Sequence, residues 1–124
     1  MKTREFFIAG MAALALASNA LAHHSHAYYV PSEEKIVHGT VKEFDWRNPH
    51  SWITIVVADE ASGEALEWAF EARAPNMLSS QGWSADSLKP GDEIAVTFRP
   101  LINGGTGGLL REITLADGTI LSDR

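Results

Sequence analysis

From Ile36 to Leu121 apolar and polar residues alternate with a period of two, and helical periodicity is scarce. Ile36 to Trp46 predicts a long first strand, with Gly39 inside it as a bend or bulge. The run Arg47-Asn48-Pro49-His50-Ser51-Trp52 interrupts it, because Asn48-Pro49 favours a turn. Ser51 to Asp59 predicts a second strand, with Ile53, Ile55 and Val57 on one face. A polar hairpin loop follows, with Gly63 near its end. Leu66, Trp68, Phe70 and Ala72 then alternate with Glu67, Ala69 and Glu71, the clearest strand in the chain. The acidic side of that strand reads as a solvated face and Trp68 as core.

Pro75 suits a first helical position and Gly82 the residue just past a helix end, so 75–81 predicts one short helix. Ile94, Val96 and Phe98 mark a fourth strand closed by Pro100, and the Gly-rich stretch 102–108 reads as a mobile loop. Leu109 to Leu115 is a fifth strand, and Asp117-Gly118 turns the chain back through Ile120 and Leu121. Five strands with a helix between the third and fourth is the order of the OB-fold, a small Greek-key barrel. A small β-sandwich is the alternative architecture.

The N-terminus changes the picture of where this domain works. Lys2 and Arg4 precede a 12-residue apolar run, Phe6 to Ala17, too short for the ~20 residues of a membrane helix. Ala20-Leu21-Ala22 places small residues where a signal peptidase would cut, so residues 1–22 read as a signal peptide and His23 as the mature N-terminus. A cut after Ala20 is the less favoured alternative. Residues 23–35 then form an extended His-rich arm, and 36–124 the barrel domain.

Export implies the periplasm. Losing residues 1–22 removes two basic side chains and one acidic one, leaving 8 basic and 15 acidic, a net charge of −7. Nucleic acid binding needs clustered Lys and Arg, so that balance argues against it, and equally against a membrane-surface role. There is no cysteine, which excludes disulfides, thiolate metal sites and a lipid-modified cysteine anchor.

The residues "HHSHA" after the signal, "GTVKEFDWRNPHSWI", "LEWAFEA", "GWSADSLKPGDEIAV" and "GGTGGLL" carry a resemblance. Together they resemble a family of small exported bacterial proteins of unknown function, over essentially the whole mature chain. Asn48 to Trp52 is the most specific piece. The resemblance implies export and a compact β-fold, and it brings no activity with it.

Candidate chemistry begins with the histidines, three of the five lying within four positions at His23, His24 and His26. If His23 is first, its amine and imidazole can chelate one ion together. A further imidazole completes an all-nitrogen set suited to copper(II). The plainer alternative is a polar arm that binds metals weakly. His50, between Trp46 and Trp52, reads first as a structural imidazole capping loop backbone and second as a fourth ligand. His38 reads as a sheet-surface residue.

Trp46, Asn48, His50 and Trp52 form a second candidate, a face for a small ligand, a sugar or a periplasmic protein partner. There the alternative is that both tryptophans cap the barrel. No nucleophile elbow and no phosphate loop is present. Asp45, His50 and Ser51 are the only acid, base and hydroxyl close in sequence, which is thin support for catalysis. The expectation is a binding protein, with copper or another divalent metal as its leading ligand, and not an enzyme.

Overall fold

The computed structural model describes residues 25–124. A 3-10 turn, Ser25–Tyr28, leads into six strands: β1 (Lys35–Asp45), β2 (Trp52–Ala58), β3 (Ala65–Glu71), β4 (Glu93–Pro100), β5 (Gly107–Leu115) and β6 (Ile120–Ser122). One helix, α1 (Pro75–Ser79), stands between β3 and β4. The strands run β3-β2-β1-β4-β5-β6, and β3 also pairs with β5 in parallel, which closes five of them into a mixed barrel. This is the OB-like barrel anticipated from the element order, with β6 as one extra strand.

β1 serves both halves of the barrel. Residues 35–40 pair with β4 and residues 40–45 with β2, and Thr40 faces both Val56 and Glu93. The register shift in β1 lies between Val41 and Glu43, so the bulge is not at Gly39. Gly39 answers a different need. A Cβ there would sit 2.7 Å from the Val56 carbonyl oxygen and 2.8 Å from Ile55 Cδ1, so it permits close approach of the strands.

The Gly-rich stretch is also more ordered than its composition suggests. Gly107 and Gly108 begin β5 and pair with Ala69 and Phe70 at the parallel seam. A Cβ on Gly107 would lie 2.2 Å from the Ala69 carbonyl oxygen, and one on Gly108 2.2 Å from that of Arg99. These two glycines let the barrel close, and only residues 101–106 remain as loop.

Inward residues of the five barrel strands supply the core: Val41, Ile53, Ile55, Phe70, Val96, Phe98, Leu110 and Ile113. Leu78, Trp83 and Leu88 join it from α1 and the loop that follows. α1 is shorter than the expected 75–81, but its ending is as Gly82 foretold. With φ at +92°, Gly82 lets its N–H reach the Ser79 carbonyl and lets the Trp83 N–H reach that of Leu78. That turn drives Trp83 inward to 3 % exposure, where its indole N–H donates to the Ser122 carbonyl at 2.8 Å. Trp68 is on the inward face as expected, stacked on Phe70 and edge-on to Phe98, but it is only partly buried. Asp123, 3 % exposed, is held by the Arg73 side chain and backbone N–H.

Candidate functional site

The β2–β3 hairpin brings together residues far apart in sequence. Its tip is fixed by Asp59 and Glu64, whose backbone groups bond at 2.8 Å, and from there the register runs down to Trp52 opposite Glu71. Two further backbone bonds continue the pairing: the Ser51 N–H donates to the Arg73 carbonyl at 3.2 Å, and the Ala72 N–H to the Ser51 carbonyl at 2.8 Å. Ser51 is thereby fully buried, and His50, next in line, sits beside Glu71. His50 Nδ1 lies 2.6 Å from Glu71 Oε1, with the imidazole 41 % exposed.

The second oxygen of Glu71 is taken by the arm. The Val30 N–H donates to the Pro100 carbonyl and the Ile102 N–H to the Tyr28 carbonyl, both at 2.9 Å, and Tyr29 forms an antiparallel bridge with Leu101. These contacts lay the arm along the chain leaving β4. The Tyr29 ring then drops onto the barrel wall, 6 % exposed, and its hydroxyl donates to Glu71 Oε2. One carboxylate thus joins a phenol from the arm to an imidazole from the β1–β2 loop. Burial, then the bond to Glu71, then the carboxylate's charge push the Tyr29 phenol well above its ordinary range.

Glu71 departs from expectation, and the reason is specific. Phe70 faces the core, so Glu71 does face outward, as the alternation required. Glu67, four residues earlier on the same face, is exposed and pairs with Lys42. Glu71 is buried, at 8 % exposure, because the arm lies over that end of the strand. The arm has no periodic pattern to announce this. The signal that could have found the Glu71–His50 pair was the hairpin register, counted down from the polar tip.

The other anticipated residues separate. His23 and His24 lie outside the described residues, as does the signal segment 1–22, and His26 falls within the Ser25–Tyr28 turn. His38 is exposed on the half of β1 paired with β4, opposite Ala95. It lines an open groove of about 620 Å³ whose other walls are mostly small side chains.

Trp46 packs against the core, edge-on to Phe44 with ring centres 5.6 Å apart. Trp52 is partly buried on the outward side of β2, opposite Asp45 and Glu71. Asn48, joined to Pro49 by a cis peptide, is exposed. The two tryptophans therefore do not make one platform. Asp45 and Ser51 do not complete a catalytic set with His50 either. Asp45 pairs with Arg47 at 3.1 Å, and among the described residues the Ser51 hydroxyl reaches only the Arg47 carbonyl, at 3.5 Å.

Among the described residues, no three His, Asp or Glu side chains converge as metal ligands, and no helix is long and apolar enough to cross a membrane. Glu71 has both oxygens engaged, so the chemistry this arrangement offers outward is the far edge of the His50 ring. No curated protein matches the chain. The stretch that carries Tyr29, His50, Glu71 and the glycines of the seam does match as a unit: residues 12–111 fit a family of unknown function, DUF6152, and the chain belongs to that family.

Proposed function

We propose that this protein is an exported, periplasmic metal-binding protein that takes copper(II), or a similar divalent ion, on nitrogen donors of its N-terminal arm and His50. It binds and does not catalyse. The observation that carries the reading is the carboxylate shared by Tyr29 and His50. It tethers the arm three residues after His26, and a span of three residues reaches at most about 10 Å. The tether thereby limits how far from His50 the chain at His26 can lie. A carboxylate behind an imidazole is also the usual support of a ligating histidine, since it fixes the ring and strengthens its donor nitrogen. With no thiolate in the chain, the donors invoked here are imidazole and amine nitrogens, which suit copper(II) better than copper(I).

The test is copper(II) titration of the processed protein, after mass spectrometry of the periplasmic form establishes which residue is first. One equivalent should bind tightly at neutral pH. A chain with one extra residue before His23 should bind distinctly worse, because the chelate of amine and imidazole on one residue is lost. His26→Ala and His50→Ala should weaken binding, and His38→Ala should not. Equal binding with and without the added residue would overturn the processed site and leave a nonspecific His-rich arm.

A further inference from the structure

The geometry points to Glu71 as a positioning residue that couples two events: seating of the N-terminal arm and selection of the His50 tautomer. As a metal-site device this rests on the proposed function. The coupling itself rests on three described side chains.

A carboxylate oxygen 2.6 Å from Nδ1 of His50 leaves no room for two facing lone pairs, so the neutral ring carries its proton on Nδ1. The lone pair then belongs to Nε2, on the opposite edge of a ring that is 41 % exposed. That edge is the one a ligand from solvent can reach. Glu71 cannot turn away freely, because its other oxygen accepts from Tyr29 and its backbone pairs with Trp52 on one side and Leu109 on the other. Docking of Tyr29 therefore holds the carboxylate in the rotamer that meets His50, and the His50 contact holds the acceptor that Tyr29 needs. Each contact lowers the ordering cost of the other, and such coupling is reciprocal. Glu71 itself is not a ligand in this arrangement.

The experiment uses the full processed chain, labelled with nitrogen-15, at pH 8. Long-range proton–nitrogen spectra report which ring nitrogen of His50 carries the proton, and the Ile102 amide reports whether the arm is seated. The wild-type ring should be protonated on Nδ1. Glu71→Ala should move the proton toward Nε2 and shift the Ile102 amide. Tyr29→Phe should shift the Ile102 amide with Glu71 still in place.

Glu71→Gln should restore part of both signals, since an amide can accept from the ring and also face the phenol. It guards against a Glu71→Ala chain that fails to fold. In copper titrations, Glu71→Ala should cost roughly 10–100-fold in affinity, the usual loss for a residue behind a ligating histidine. A wild-type ring protonated on Nε2 would overturn the inference. So would a folded Glu71→Ala chain with the wild-type tautomer and an unmoved Ile102 amide. If the wild type binds no copper but its ring and amide respond as stated, the metal reading fails and the role of Glu71 stands.

Discussion

Tyr29 and Glu71, 42 positions apart, meet through a hydrogen bond on the outside of the barrel, beneath the arm and apart from the hydrophobic core. Tyr29→Phe keeps the ring and removes the only donor to Glu71 Oε2 among the described residues, so it should cost about 1–3 kcal/mol in denaturant unfolding. Tyr28→Phe, at an exposed ring, should cost little.

The same pair sets an alkaline limit. The phenol's folded pKa is raised, first by burial and then by Glu71, above the ordinary value near 10. The unfolded chain releases that proton first as pH rises. Stability from the pair is therefore complete below about pH 10 and is lost above it. Wild type should lose stability between pH 9.5 and about 11 more steeply than Tyr29→Phe does. Parallel curves in denaturant titrations at each pH would refute this.

Of the four tryptophans, Trp83 should be the costliest to lose. It is 3 % exposed, sits against Leu78 and Phe44, and bonds Ser122. Trp83→Ala should cost roughly 3–5 kcal/mol. Trp68→Ala should cost less, because Trp68 is only partly buried and its indole N–H has no partner among the described residues. Thermal melts of the two variants decide the order.

Gly107→Ala and Gly108→Ala should each prevent clean closure of the barrel, since either Cβ would lie 2.2 Å from a carbonyl oxygen. A loss of about 3 kcal/mol or more is expected for each. Gly104→Ala is the comparison: its φ of +74° is unfavourable, but no described residue lies within 4 Å, so about 1 kcal/mol is expected. If all three melt alike, the glycines serve flexibility and not the seam.

At acid pH the exposed cluster of Glu34, Arg111 and Arg124 is the part to watch. Desolvation pushes Glu34 up, but its contacts with Arg124 at 3.3 Å and Arg111 at 3.4 Å outweigh this, and its pKa is lowered overall. A lowered folded value gives stability that is complete above the unfolded pKa and is lost as pH falls through the folded one. Glu34→Gln should flatten that limb slightly, as befits a solvent-screened pair. An unchanged limb would show that the cluster contributes nothing.

Much of the barrel was legible because its strands alternate. Ile53, Ile55, Phe70, Val96 and Phe98 declared their face by period two, and Pro75 and Gly82 bracketed the helix by backbone chemistry. Trp83 was not legible, since its burial depends on a helix-ending turn that periodicity does not register. Gly107 and Gly108 looked like loop because composition does not distinguish a glycine that flexes from one that must fit under a carbonyl. Within the site, His50 was visible as a residue and Glu71 as a face, but their meeting was not. It needs the hairpin register and an arm tied down by one phenol and two backbone hydrogen bonds.

Glu71 occupies the last rung of the parallel seam, opposite Leu109. With three rungs, that seam is the shortest of the five that close the barrel, and native proteins open first where the fewest bonds must break. The latch of the barrel and the anchor of the site are thus a single residue. Each time the latch breathes, the phenol, carried by the arm along the chain leaving β4, parts from the carboxylate, while His50 stays beside it on the β2–β3 hairpin, so the lifetime of the three-way contact is the closed lifetime of the latch. An ion held at His50 would act as a clasp on the whole barrel from the outside.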